Sequence, residues 1–160
     1  MLNHQFVVED QTVLKENLMD AYSWDSDGKV YKRGLGVVEQ AVFEDEFISY
    51  IHDTLRWLDT WNPSTDTRHT GLNVHGITVI VGQDILLKLE QIIRSWNELL
   101  SLAPDPIVLT GNYCIDVTTG KRCDEKLVYD KTDLIDQLSK LAVMTKYAAE
   151  TGRCIIHFGV

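Results

Sequence analysis

The sequence predicts an α+β fold: a mostly antiparallel or mixed sheet covered by helices on one face, giving two layers. Three observations lead there. From Gly71 to Val160 the patterns run strand, helix, hairpin, helix, strand. The two helices in that stretch each carry one apolar face. The strands between them supply the apolar surface that such helices cover. With 160 residues, one domain over 1–160 is expected, large enough to bury a core without staples. Three Pro and no low-complexity run argue against a long disordered linker.

Taken in order, Phe6-Val7-Val8 reads as a short strand. Thr12 to Tyr22 reads as a short helix with Val13, Leu14 and Leu18 on one side. Asp25-Ser26-Asp27-Gly28 is a turn, because Asp bonds nearby backbone and Gly tolerates positive φ. Val30 to Val38 is extended and broken by Gly34 and Gly36. A helix is predicted from about Val42 to Trp61, with Phe47, Ile48, Ile51, Leu55 and Leu58 at helical spacing. Glu44, Asp45 and Glu46 favour its positive N-terminal end. Asn62-Pro63 ends it, and an exposed loop is expected near 62–68.

Thr70 to Val81 reads as a strand, richest in β-branched residues over Ile77-Thr78-Val79-Ile80-Val81. The clearest helix spans about Asp84 to Leu102, with Ile85, Leu86, Leu89, Ile92, Ile93, Trp96, Leu99 and Leu100 in a broad apolar stripe. After Pro104 and Pro106, Ile107-Val108-Leu109 is a strand, and Tyr113–Val117 and Lys126–Tyr129 are hairpin arms. A last helix covers about Thr132 to Glu150, with Thr132 or Asp130 as N-cap and Gly152 as its stop. Cys154 to Val160 forms the final strand.

The net charge is −9. That argues against direct nucleic-acid binding, which needs Lys and Arg against phosphate. The charge is uneven: residues 1–60 hold 12 acids against 5 bases, residues 61–160 hold 12 against 10. A solvated acidic face and an acidic docking surface for a basic partner both fit. Cys114, Cys123 and Cys154 lack Cys-x-x-Cys spacing and read as reduced thiols. With no signal-peptide pattern and no membrane span, a cytoplasmic location is expected.

Motifs for chemistry are incomplete. Gly34-Leu35-Gly36-Val37-Val38-Glu39 places Glu39 where a dinucleotide loop needs its third Gly. Asp25-Ser26-Asp27-Gly28 falls in a register that lacks two key calcium-loop ligands. His69 and His75 are about 20 Å apart if extended, and Cys154 and His157 face opposite sides of one strand. Asp116 and Asp124 could meet across the hairpin, where like charges repel. No catalytic residue, metal ligand or cofactor is assigned. Trp96 reads as core. Trp57 and Trp61, with Asp53 four residues before, share one face of the predicted helix. With Glu46 and Asp59 they form the candidate partner-binding set: buried helix face, or aromatic patch with an acidic rim.

The segments Gly71 to Ile80, Val108 to Tyr113 and Ile155 to Val160 resemble, in general character, small bacterial immunity proteins of polymorphic toxin systems. The resemblance spans roughly the second half. It implies an acidic, stoichiometric inhibitor that neutralises a basic toxin or nuclease, steered to it by charge. An enzyme with a site at Thr110-Gly111-Asn112-Tyr113, near His75 and His157, is the first alternative. There the bland reading is a polar loop with a bulge at Gly111. A structural subunit of a complex, including a homo-oligomer, is the second.

Overall fold

A computed structural model describes residues 2–15 and 17–160. The main sheet has six strands, and its middle is built from the two ends of the described chain. Strand β1 (Asn3–Glu9) is followed by a 3-10 turn (Gln11–Lys15) and a one-turn helix α1 (Leu18–Ala21). Strands β2 (Tyr22–Trp24), β3 (Val30–Lys32) and β4 (Gly36–Val37) form a small separate sheet. Next come β5 (Gln40–Glu44), helix α2 (Asp45–Leu55), β6 (Asp59–Asn62), β7 (Thr67–Thr70) and β8 (Ile77–Ile80). Helix α3 (Gln83–Ser101), the ribbon β9 (Ile107–Ile115) and β10 (Arg122–Tyr129), helix α4 (Lys131–Thr151) and β11 (Cys154–Phe158) complete the chain.

The strand order is β5-β1-β11-β8-β6-β7, antiparallel at every step. The α+β architecture read from the sequence is therefore present, with an antiparallel sheet. Strand β11 sits between β1 and β8, which explains its nearly unbroken apolar run: both of its faces are covered.

Alternation along the strands divides the core in two. Phe6, Ala41, Phe43, Ile80 and Ile155 face α2, α3 and α4 and join Phe47, Leu55, Leu89 and Leu138 in the larger cluster. Val7, Ile77, Val79, Cys154, Ile156 and Phe158 face the other way, onto Leu18, Tyr22 and Val30. The helices cover one face, as expected, and the segment through α1 and β2–β4 covers part of the other.

Local chemistry fixes the later helices. The Asp130 side chain accepts from the Asp133 amide at the start of α4, and Gly152, at φ 67°, turns the chain out of it. Gln137 reaches from α4 to the outer strand and accepts from the Val42 amide at 2.8 Å. At the end of the chain, the amides of Gly159 and Val160 donate to the carbonyls of Gly76 and Val74. A Cβ on Gly159 would lie 2.4 Å from the Val74 oxygen, so glycine is needed for that close approach.

Several expectations need correction. The Thr12–Tyr22 helix is replaced by the 3-10 turn and α1, and Glu16 within it lies outside the described residues. The helix predicted from Val42 to Trp61 is only Asp45–Leu55. Val42 and Phe43 belong to β5 and Trp61 to β6, because short apolar runs satisfy both periods and strand pairing decides. The loop near 62–68 contracts to a turn, since Asn62 pairs with Thr67. The Thr70–Val81 strand is shorter, at Ile77–Ile80, with Thr70 on β7. Asp116 and Asp124 do not meet: Asp124 opposes Tyr113, while Asp116 accepts from Thr118 and Thr119 in the turn.

Candidate functional site

The first place where candidate side chains gather is the seam of α2 and α3. On α2, Glu46, Tyr50 and Asp53 fall at i, i+4 and i+7 and are exposed. Past Leu55 the chain keeps turning through bonds from the Arg56 amide to His52 and from the Trp57 amide to Thr54. That continuation presents Trp57 beyond the end of the helix. Lys88, from α3, donates to the Trp57 carbonyl at 2.6 Å and ties the two elements together.

Between them lies a groove of about 410 Å³ walled by Trp57, Ile92, Trp96 and Leu99. Trp57 is 61% exposed and Leu99 57%. Trp96 is half-buried; its indole N–H donates to Thr54 at 3.0 Å, and its ring meets Tyr50 edge-on at 5.9 Å. Lys88 is the sole basic residue among those lining the groove, and its ammonium is engaged. The groove can accept an apolar or aromatic side chain, and the exposed face of α2 that leads to Trp57 carries the carboxylates of Glu46 and Asp53.

Of the five predicted binding residues, Glu46, Asp53 and Trp57 lie on or beside this exposed side of α2. Asp59 and Trp61 do not. They sit on β6, where Trp61 opposes Arg68 and packs on the cluster behind the sheet. Ending the helix at Leu55 breaks the four-residue spacing that had joined Trp61 to Trp57. Sequence reasoning missed Tyr50 and placed Leu99 and Trp96 in the apolar stripe of α3; Leu99 is instead exposed, while Trp96 packs half-buried against the core and also lines the groove. Tyr50 at four residues from Glu46 was the available signal for the first.

The second place is inside. His4 on β1 is the diagonal neighbour of His157 on β11, and both side chains face the helices. His4 Nδ1 lies 2.7 Å from His157 Nε2, and His4 Nε2 lies 2.8 Å from Asp45 Oδ1. Asp45 is placed there by its amide, which donates to the Leu2 carbonyl as α2 begins. The carboxylate accepts, so His4 Nε2 donates; in the neutral pair His157 Nε2 then donates to His4 Nδ1. His157 Nδ1 is left without a partner. Burial, then His4, hold the His157 pKa well below the ordinary histidine value. Both rings are fully buried, so neither can touch a bound substrate directly. The chain pins the start of α2 to the sheet.

Behind the sheet, Glu9 accepts from Tyr22 and Lys32. Burial alone would raise its pKa, but the bonds from Lys32, Tyr22 and the Asp10 amide outweigh it and lower the value. At the alternative site, 110–113, Gly111 lies against the side chains of Glu125 and Leu127. Among the described residues strand β9 pairs with β10 alone, Gly111 and Asn112 bulge opposite Glu125, His75 is exposed, and His157 is sealed in the core. Among the described residues, no group of three or more His, Cys, Asp or Glu side chains is placed to hold a metal ion, and no helix is long and apolar enough to cross a membrane. No protein-family model matches the chain, and no curated protein or solved structure matches it.

Proposed function

We propose that this protein is a binding module whose α2–α3 face captures a basic protein partner, in the manner of a stoichiometric inhibitor or immunity protein. The observation that carries the reading is the aromatic groove at Trp57 and Trp96, together with the exposed Glu46 and Asp53 on the helix that leads to Trp57. Large exposed aromatics cost solvation and are enriched in interface cores, and carboxylates around them accelerate encounter with a cationic surface. The net charge of −9 supports the same sign of partner.

The test is co-expression with the protein encoded immediately upstream in the source genome. The reading expects that protein to be basic and to arrest growth alone. It expects growth to be restored, and a one-to-one complex to be recovered, when this chain is present. An upstream protein that neither arrests growth nor binds removes the immunity assignment. The structural-subunit reading is favoured by a different surface, the outer face of the ribbon, where Val108, Tyr113, Ile115 and Val128 are exposed. Concentration-dependent self-association in sedimentation, abolished by Tyr113→Ser and Ile115→Ser, would support that reading instead.

A further inference from the structure

Cys114 and Cys123 stand directly opposite one another on β9 and β10. Their sulfurs are 3.0 Å apart, and both side chains are exposed as free thiols. Opposed residues of an antiparallel pair have Cα atoms about 4.5 or 5.5 Å apart, and both spacings fall within the range a disulfide spans. The pair lies beyond the Gly111–Asn112 bulge, where the residues of both strands are exposed. Its bridging therefore asks nothing of the core. The third thiol is a built-in contrast. Cys154 is fully buried, and burial, then Glu9 and Asp10, push its pKa up to about 12.

We propose that Cys114 and Cys123 form a reversible thiol–disulfide modification site, closed by exchange with a small disulfide of the glutathione class. One protein thiolate attacks a sulfur of the small disulfide; a protein–glutathione S–S bond forms and one glutathione thiolate leaves. The second protein thiol, deprotonated, attacks the protein sulfur of that mixed disulfide and expels the second glutathione. Two protein thiols are oxidised to one disulfide, one small disulfide is reduced to two thiols, and the two protons end on the released glutathiones. The bridge clamps a two-stranded ribbon that, among the described residues, pairs with no other strand and is otherwise open to fraying.

The site is independent of the α2–α3 groove, and its test does not require a partner. The full chain is incubated with oxidised glutathione, quenched in acid, denatured, alkylated and weighed intact. The expected product carries one alkyl label, on Cys154, has lost two hydrogens, holds no glutathione, and regains three labels after reductant. Cys123→Ser and Cys114→Ser should each stop at a glutathione adduct on the remaining ribbon thiol. Three labels on the treated wild-type chain, a lasting glutathione adduct on it, a covalent dimer, or a bridge involving Cys154 would overturn the assignment.

Discussion

Acidification from pH 7 to pH 5 probes the buried histidine pair directly. His157 is fully buried, and desolvation with His4 beside it keeps its native pKa well below the ordinary value. The unfolded chain takes up that proton near pH 6.5. A base with a depressed native pKa contributes fully above the unfolded pKa, and the contribution is lost as pH falls below it. One proton bound by the unfolded state alone, at about 1.4 kcal/mol per pH unit over roughly one and a half units, costs about 2 kcal/mol at pH 5. Urea unfolding of the wild type and of His157→Phe at pH 7, 6 and 5 measures this. Phenylalanine can pack near Phe6, whose ring centroid already lies 4.8 Å from that of His157. It also leaves His4 Nδ1 without its partner, costing about 1–3 kcal/mol at pH 7. The deficit of the variant should shrink by about 2 kcal/mol on going to pH 5. A deficit unchanged over that range would refute the neutral, sealed His157.

Leu89→Ala on α3 and Leu138→Ala on α4 remove side chains with no exposed surface and should each cost about 2–5 kcal/mol in urea unfolding; less than about 0.5 at both would contradict the packing. Gly159→Ala should destabilise by about 1–3 kcal/mol, because its Cβ meets backbone at Val74 that cannot swing away; an unchanged urea midpoint would mean the chain end is not docked as described. The lowered pKa of Glu9 makes its contribution present above the ordinary glutamate range and lost as pH falls through the lower native value. Glu9→Gln should therefore be less stable than wild type at pH 7, with the gap closing in acid; a gap that is constant with pH would exclude the charge as its source.

The second half of the fold was legible because its signals agree with one another. Asp130, the stripe through Leu134, Leu138 and Leu141, and Gly152 mark a start, a face and a stop for α4. Cys154 to Phe158 reads as strand because it is covered on both sides. The first half defeated the same rules for physical reasons. Strand β7, Thr67–Thr70, is fully exposed and carries no apolar pattern. Strand β6 hides behind α2 because Leu58 and Trp61 continue a helical spacing that the chain abandons at Leu55. The His4–His157–Asp45 chain is set by the β1–β11 register across 153 residues, which no local spacing reveals. The bulge at Gly111 was legible, since an isolated Gly in a strand pattern is its ordinary signature. Of the proposed docking surface, the exposed acids on α2 were readable; the groove was not, because it needs α3 to lie alongside.

The claim that the α2–α3 face docks a basic protein is tested most directly by the association rate with the upstream-encoded protein. Stopped-flow rates would be taken at low and high salt for the wild type, Asp53→Lys, Trp57→Ala and Glu39→Lys, an equal charge reversal at an exposed residue between β4 and β5. At low salt, Asp53→Lys should slow association roughly tenfold, and that loss should fade as salt screens the field. Trp57→Ala should leave the association rate nearly intact and weaken affinity by roughly 30-fold or more through faster dissociation. Glu39→Lys should alter the rate far less than Asp53→Lys. Equal effects of the two reversals, or full affinity without the Trp57 ring, would contradict the account.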